Sequence, residues 1–152
     1  MRRVLGVVLA GAILMLPAFS QSAFAQQAPQ KTTYTGAAVL AAYAVNADKT
    51  ADYEKVIETL KDSLSKSSRP EAKQQLAGWK VIKNAAAQPD GSVLYVHMIS
   101  PVVPDADYSI TNLVYEAVTD PAARTDFYNL YRGALKAALF VIQGPMVNDF
   151  SK

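Results

Sequence analysis

The sequence predicts one α+β domain: a four-stranded antiparallel sheet with helices packed on one of its faces. Three observations carry this expectation. Two long stretches place apolar residues at helical spacing, three short β-rich segments are bounded by turn residues, and an apolar run precedes them all. The resulting order is strand, helix, strand, strand, helix, strand.

The first strand is read over Ala37 to Val45, a continuous apolar run with Val39, Leu40, Tyr43 and Val45, although its alanines also suit a helix. Turn residues from Asn46 to Thr50 follow and supply a helix cap, with Asp52 and Glu54 in the first turn, where the helix dipole favours negative charge. Tyr53, Val56, Ile57, Leu60 and Leu64 then form one apolar stripe. Lys55, Glu58, Lys61 and Asp62 make the solvated side of that helix. Pro70 opens a short second helix over Glu71 to Ala77, which Gly78 stops.

Trp79 to Lys83 and Val93 to Ile99 are β-rich and flank Gln88-Pro89-Asp90-Gly91, so a hairpin is expected. If Asn84 and Ser92 close it, Trp79 lies opposite His97 and Val81 opposite Tyr95. Pro101 and Pro104 end the second hairpin strand. A helix carrying Ile110, Leu113, Val114 and Ala117 comes next, and Asp120-Pro121 starts another with Phe127, Leu130, Tyr131, Ala134 and Ala138 as its buried stripe. Leu139 to Ile142 and Met146 to Val147 read as the last strand, interrupted by Gly144-Pro145 and so suited to an edge or a bulge. This order is the ferredoxin-like split βαβ arrangement, βαββαβ.

Composition narrows the chemistry. The chain has 152 residues, 51% hydrophobic, with one His, one Trp and no Cys. The lack of cysteine excludes disulfides, thiolate metal sites and a cysteine nucleophile. Arg2, Arg3, the apolar run Val4 to Leu16 and Ala23-Phe24-Ala25 read as a signal peptide cleaved after Ala25. An uncleaved anchor is the competing reading, and Pro17 with the polar residues from Ser20 to Ser22 argues against it. Residues 26–33 are then a flexible spacer and 34–152 the folded domain, with order beginning near Tyr34. Cleavage removes two of the 15 Lys+Arg and none of the 13 Asp+Glu, so the mature chain has no formal net charge. No nucleic-acid partner and, after cleavage, no membrane partner is therefore expected. The exported domain is expected in the periplasm or outside the cell.

Strand alternation yields the candidate site. Val93, Tyr95, His97 and Ile99 share one face, and Leu94, Val96 and Met98 the other. Both are largely apolar, and the first strand repeats the pattern. Helices can shelter only one face, so a second subunit or a bound ligand is expected on the other. The aliphatic set is the better helix-packing face. That leaves Tyr43, Trp79, Tyr95 and His97 on the open side as the candidate ligand-binding residues, with His97, the only imidazole, as the candidate proton carrier. The bland reading of each is core: His97 as a bonded interior residue and the aromatics as filling. Asp105 and Asp107 read as a solvated turn rather than a cation site. There is no Gly-x-Ser-x-Gly, Gly-x-Gly-x-x-Gly or Walker loop, and neither a metal nor a cofactor is expected.

Several segments carry a resemblance. Asp48-Lys49-Thr50-Ala51-Asp52-Tyr53, Gly78-Trp79-Lys80-Val81, Val93-Leu94-Tyr95-Val96, Ala106-Asp107-Tyr108 and Asp149-Phe150-Ser151-Lys152 resemble an uncharacterised family of small exported bacterial proteins. That resemblance implies location and segmentation and transfers no activity. The element order is similar to the dimeric α/β-barrel superfamily, which includes cofactor-independent monooxygenases, haem-degrading enzymes and small isomerases. The likeness implies a homodimer. Haem-degrading members use Asn, Trp and His, but Trp79 and His97 match no such positions, so no catalytic role carries over. The expectation is a non-catalytic exported dimer that binds a small apolar or aromatic molecule, or acts simply as an interaction module, through its open sheet face. The alternative is a cofactor-independent oxygenase or isomerase in which His97 moves a proton.

Overall fold

The computed structural model describes residues 30–148 and residue 150. The signal peptide read over residues 1–25, and the first half of the spacer, lie outside them. Strands β1 (Ala38–Val45), β2 (Trp79–Lys83), β3 (Val93–Ile99) and β4 (Leu135–Gly144) form one antiparallel sheet in the order β2-β3-β1-β4. Between β1 and β2 run a 3-10 turn, Ala47–Lys49, and helices α1 (Thr50–Lys66) and α2 (Ala72–Gly78). Helices α3 (Ile110–Ala117) and α4 (Pro121–Ala134) separate β3 from β4. The α+β, ferredoxin-like class read from the sequence is what the chain adopts, with two helices in each helical slot.

The helical stripes do what their spacing predicts. Tyr53, Val56, Leu60 and Leu64 of α1 are buried, and Val56, Leu60 and Leu64 join Ala72, Leu113, Val114 and Phe127 in the main core cluster. Asp120 caps α4 by accepting from the backbone N–H of Ala123 at 3.0 Å, and Pro121 occupies the first helical turn. The buried stripe of α4 ends at Ala134; Ala138, expected to continue it, belongs to β4.

The hairpin register differs from expectation by two residues. Trp79 pairs with Ile99, Val81 with His97 and Lys83 with Tyr95. Ser92 explains the shift, because its N–H and hydroxyl both donate to Asp90 Oδ1 and its carbonyl accepts from Gln88 N. It belongs to the turn, where Gly91 takes φ +78, and Asn84 closes the ladder on Leu94 instead. An even shift leaves every side chain on its predicted face.

The described residues before Tyr34 contact the domain. Thr32 donates its N–H to Asp107 Oδ1 at 2.9 Å and accepts from Tyr108 N at 2.7 Å, while the carbonyl of Gln30 accepts from Asn112.

The covered face is the one expected to be open. Tyr95, His97 and Ile99 of β3, with Val39, Ala41 and Val45 of β1, are buried beneath the helices. Leu94, Val96 and Met98 are only partly buried and look away from them. Both sets are apolar, so hydrophobicity alone does not choose between them. The deciding factor is that the aromatic set buries the larger area and finds hydrogen-bond partners for its polar tips in the helical layer.

Candidate functional site

His97 sits at the middle of β3 beneath α1 and is 1% exposed. Trp79, the first residue of β2, donates its indole N–H to His97 Nδ1 at 3.0 Å. A neutral imidazole whose Nδ1 accepts must carry its proton on Nε2, and Nε2 lies 2.9 Å from the Tyr53 hydroxyl of α1. His97 therefore donates to Tyr53 Oη. Both ring nitrogens are used, and burial pushes the imidazole pKa down to about 4. Charging the ring would also place a proton on Nδ1, where the Trp79 bond now ends.

Rings close the space around this chain of bonds. Tyr43 meets the His97 ring edge-on at 5.2 Å, and Tyr95 meets Tyr53 edge-on at 4.9 Å. The Tyr95 hydroxyl donates to Glu54 at 2.8 Å, and Lys83 donates to the same carboxylate oxygen at 2.8 Å. Those two bonds, Lys83 first, hold the Glu54 carboxyl below its ordinary pKa. Burial raises the hydroxyl pKa of Tyr53, Tyr43 and Tyr95.

The structure thus brings together all four residues picked from the sequence, Tyr43, Trp79, Tyr95 and His97. It gathers them under the helices and not on the open face. Tyr53, read only as one position of an apolar stripe, is the residue that sequence reasoning missed. Its place at the start of that stripe, as a residue whose hydroxyl needs a partner when buried, is the signal that could have found it.

Asp107 also departs from expectation. Far from a solvated turn, its carboxylate is buried and accepts from Thr32 N, Ser109 N and Asn112 Nδ2, while its carbonyl accepts from Gln75 Nε2 at 2.7 Å. It ties the N-terminal segment to the start of α3. Asp105 is exposed and takes φ 59 in the preceding turn. Among the described residues no group of three or more His, Asp or Glu side chains could hold a metal ion.

Two apolar surfaces are accessible. The first is a cleft of about 370 Å³ between α1, α2 and β2, lined by Ile57, Leu60, Leu64, Leu76, Trp79 and Val81 together with Lys61. It shares Ile57 and Val81 with a neighbouring hollow that ends at Glu54, Lys83 and Tyr95. The second is the open sheet face. Register lines up two rows across all four strands, Ile82-Val96-Ala42-Phe140 and Lys80-Met98-Leu40-Ile142. Ile82 is 52%, Phe140 47%, Leu40 37% and Ile142 59% exposed, and Lys80 is the one charge in the two rows.

No helix among the described residues is long and apolar enough to cross a membrane. Comparison of the chain with protein-family models, curated proteins and solved structures found no match.

Proposed function

We propose that the chain is an exported, non-catalytic protein that works as a homodimer, with the open faces of two sheets packed against each other. One observation carries this reading: eight cross-strand positions in two complete rows hold seven uncharged residues and a single lysine at the β2 edge. A monomer in water would leave Ile82, Leu40, Phe140 and Ile142 of these rows exposed around the buried Ala42 and the part-buried Val96 and Met98, a larger apolar patch than soluble domains usually show. A two-fold contact lets the same layer cover itself.

A small apolar or aromatic ligand fits a second place, the α1–β2 cleft, because Trp79 is only half-buried there and five aliphatic side chains line it, with Lys61 as its one charged group. This moves the proposed ligand seat off the open face and keeps Trp79 as its anchor. Proton transfer by His97 has little geometric support. Its two nitrogens are engaged by Trp79 and Tyr53, it is sealed from solvent, and burial favours the neutral ring.

Sedimentation of the mature chain, Gln26 to Lys152, tests the main claim. A dimer at micromolar concentration is expected, and a strict monomer overturns it. Native mass spectrometry of the same material reports any retained ligand, whose loss in Trp79→Ala but not in Leu40→Lys would support the cleft.

A further inference from the structure

We infer that the ligand of the α1–β2 cleft is a short extended peptide, added as an antiparallel strand at the free edge of β2 with apolar side chains flanking an acidic one. The inference rests on the reading of that cleft as a ligand seat and names the chemical class that fills it.

The edge supplies main-chain bonds. Among the described residues β2 has β3 on one side and no strand on the other. Gly78 O accepts from Ser100 N and Asn84 N donates to Leu94 O, so the even-numbered residues between them turn their backbone groups towards β3. Trp79, Val81 and Lys83 therefore turn theirs outward. The Trp79 N–H donates to Gln75 O at the end of α2, which leaves the N–H groups of Val81 and Lys83, and the carbonyls of all three, facing a new strand.

The same three residues point their side chains towards the helices. Trp79 and Val81 line the cleft with Ile57, Leu60 and Leu64 of α1, and Val81 and Lys83 line the hollow that continues it to Glu54. The furrow follows β2 from end to end: α1 rises about 15 Å between Glu54 and Leu64, and the strand spans about 16 Å. A strand paired with this edge places every second side chain in the furrow. Its other side chains lie beside Lys80 and Ile82 at the rim of the open face, which stays free for the partner copy.

Charge selects the occupant. β2 contains two lysines and no acid. Glu54 holds Lys83 at 2.8 Å, whereas Lys80 is exposed and joins no ion pair among the described residues. A second copy pairing through its own β2 would bring two more lysines to this edge, while a glutamate directly across from Lys80 is matched by it. The residues on either side of that glutamate, across from Trp79 and Val81, meet the apolar furrow.

The probe is acetyl-Thr-Leu-Glu-Leu-Thr-amide, and Trp79, the chain's one tryptophan, reports its arrival. Titrated into the mature chain, it should shift the Trp79 emission to the blue and saturate. Exchanging its Glu for Lys should weaken binding about fivefold, and Lys80→Glu in the protein should reverse that preference. N-methylation of both leucines removes the N–H groups aimed at the Trp79 and Val81 carbonyls and should weaken binding about tenfold. Equal binding of the methylated peptide overturns strand addition, and equal binding of the two charge forms overturns the pairing with Lys80. If the peptide fails to bind while anilinonaphthalene sulfonate still accepts energy from Trp79, the peptide class is overturned and the cleft stands. If neither binds, both are overturned. Dissociation of the dimer by the peptide in sedimentation would place the β2 edge between copies and overturn its role as a free peptide site.

Discussion

The indole N–H of Trp79 donates to Nδ1 of His97 at 3.0 Å, and this one bond sets the protonation pattern of the buried centre. With Nδ1 occupied, the ring proton must sit on Nε2 and point at Tyr53. A strand edge, a central strand and the first turn of α1 are thereby joined through one imidazole.

The neutral ring makes stability depend on pH. The folded pKa of about 4 lies below the unfolded value of 6.5, so the folded state binds fewer protons between them. The His97 contribution is complete above pH 6.5 and declines as pH falls towards 4, by about 3 kcal/mol over the window. Urea unfolding at pH 7 and pH 4.5 should show it, and His97→Gln should flatten the decline. Parallel profiles for the two proteins would show that His97 is not the group responsible.

Removing either partner of the imidazole strands a buried polar atom. Trp79→Phe leaves Nδ1 without a donor and Tyr53→Phe leaves the Nε2 proton without an acceptor, and each should cost about 1–3 kcal/mol. Because both act on one ring, the double variant should cost less than the sum. Strict additivity in a double-mutant cycle would mean that the two bonds are energetically separate. In the wild-type protein, nitrogen-15 spectra should report the Nε2–H tautomer.

How far the sequence disclosed this centre follows from what each signal measures. Period-two alternation correctly grouped Tyr43, Trp79, Tyr95 and His97 on one face, because the pleat alone dictates sidedness. It survived a two-residue error in register, caused by Ser92 bonding to Asp90 within the turn. The choice between the faces failed, since Leu94, Val96 and Met98 outrank Tyr95 and His97 in hydrophobicity but bury less area. What reversed the choice was a set of partners, Tyr53 and Glu54 on α1, that strand periodicity does not register. Asp107 was misjudged for a related reason: its acceptor role depends on Thr32, far away in the chain.

Asp107 should therefore matter more than a turn residue would. Asp107→Ala removes acceptors from Thr32 N, Ser109 N and Asn112 Nδ2 together, and a loss of about 2–4 kcal/mol is expected. Asp107→Asn should cost less, because its retained oxygen can still serve the two backbone donors while its amide opposes Asn112. Limited proteolysis should show new cleavage near Thr32 in the alanine variant first. Unchanged protection there would mean that the N-terminal segment is held by other contacts.

Adjacent residues on β4 separate the two ways in which copies of this chain could meet. Ile142, 59% exposed, pairs with Leu40 on the open face, whereas Val141, 53% exposed, pairs with Ala41 and faces the helical side. Similar exposure makes them comparably available to an edge-to-edge contact, since β4 is an edge strand and a strand added beside it would lie against side chains of both faces. Packing of one open face on another instead buries Ile142 and leaves Val141 at the rim. Lysine at 142 should then weaken the dimer by about a hundredfold, as expected when a charge is forced into an apolar contact, and lysine at 141 should weaken it by less than tenfold. Equal loss at both positions in sedimentation equilibrium would favour pairing along the β4 edge over packing of the sheet faces.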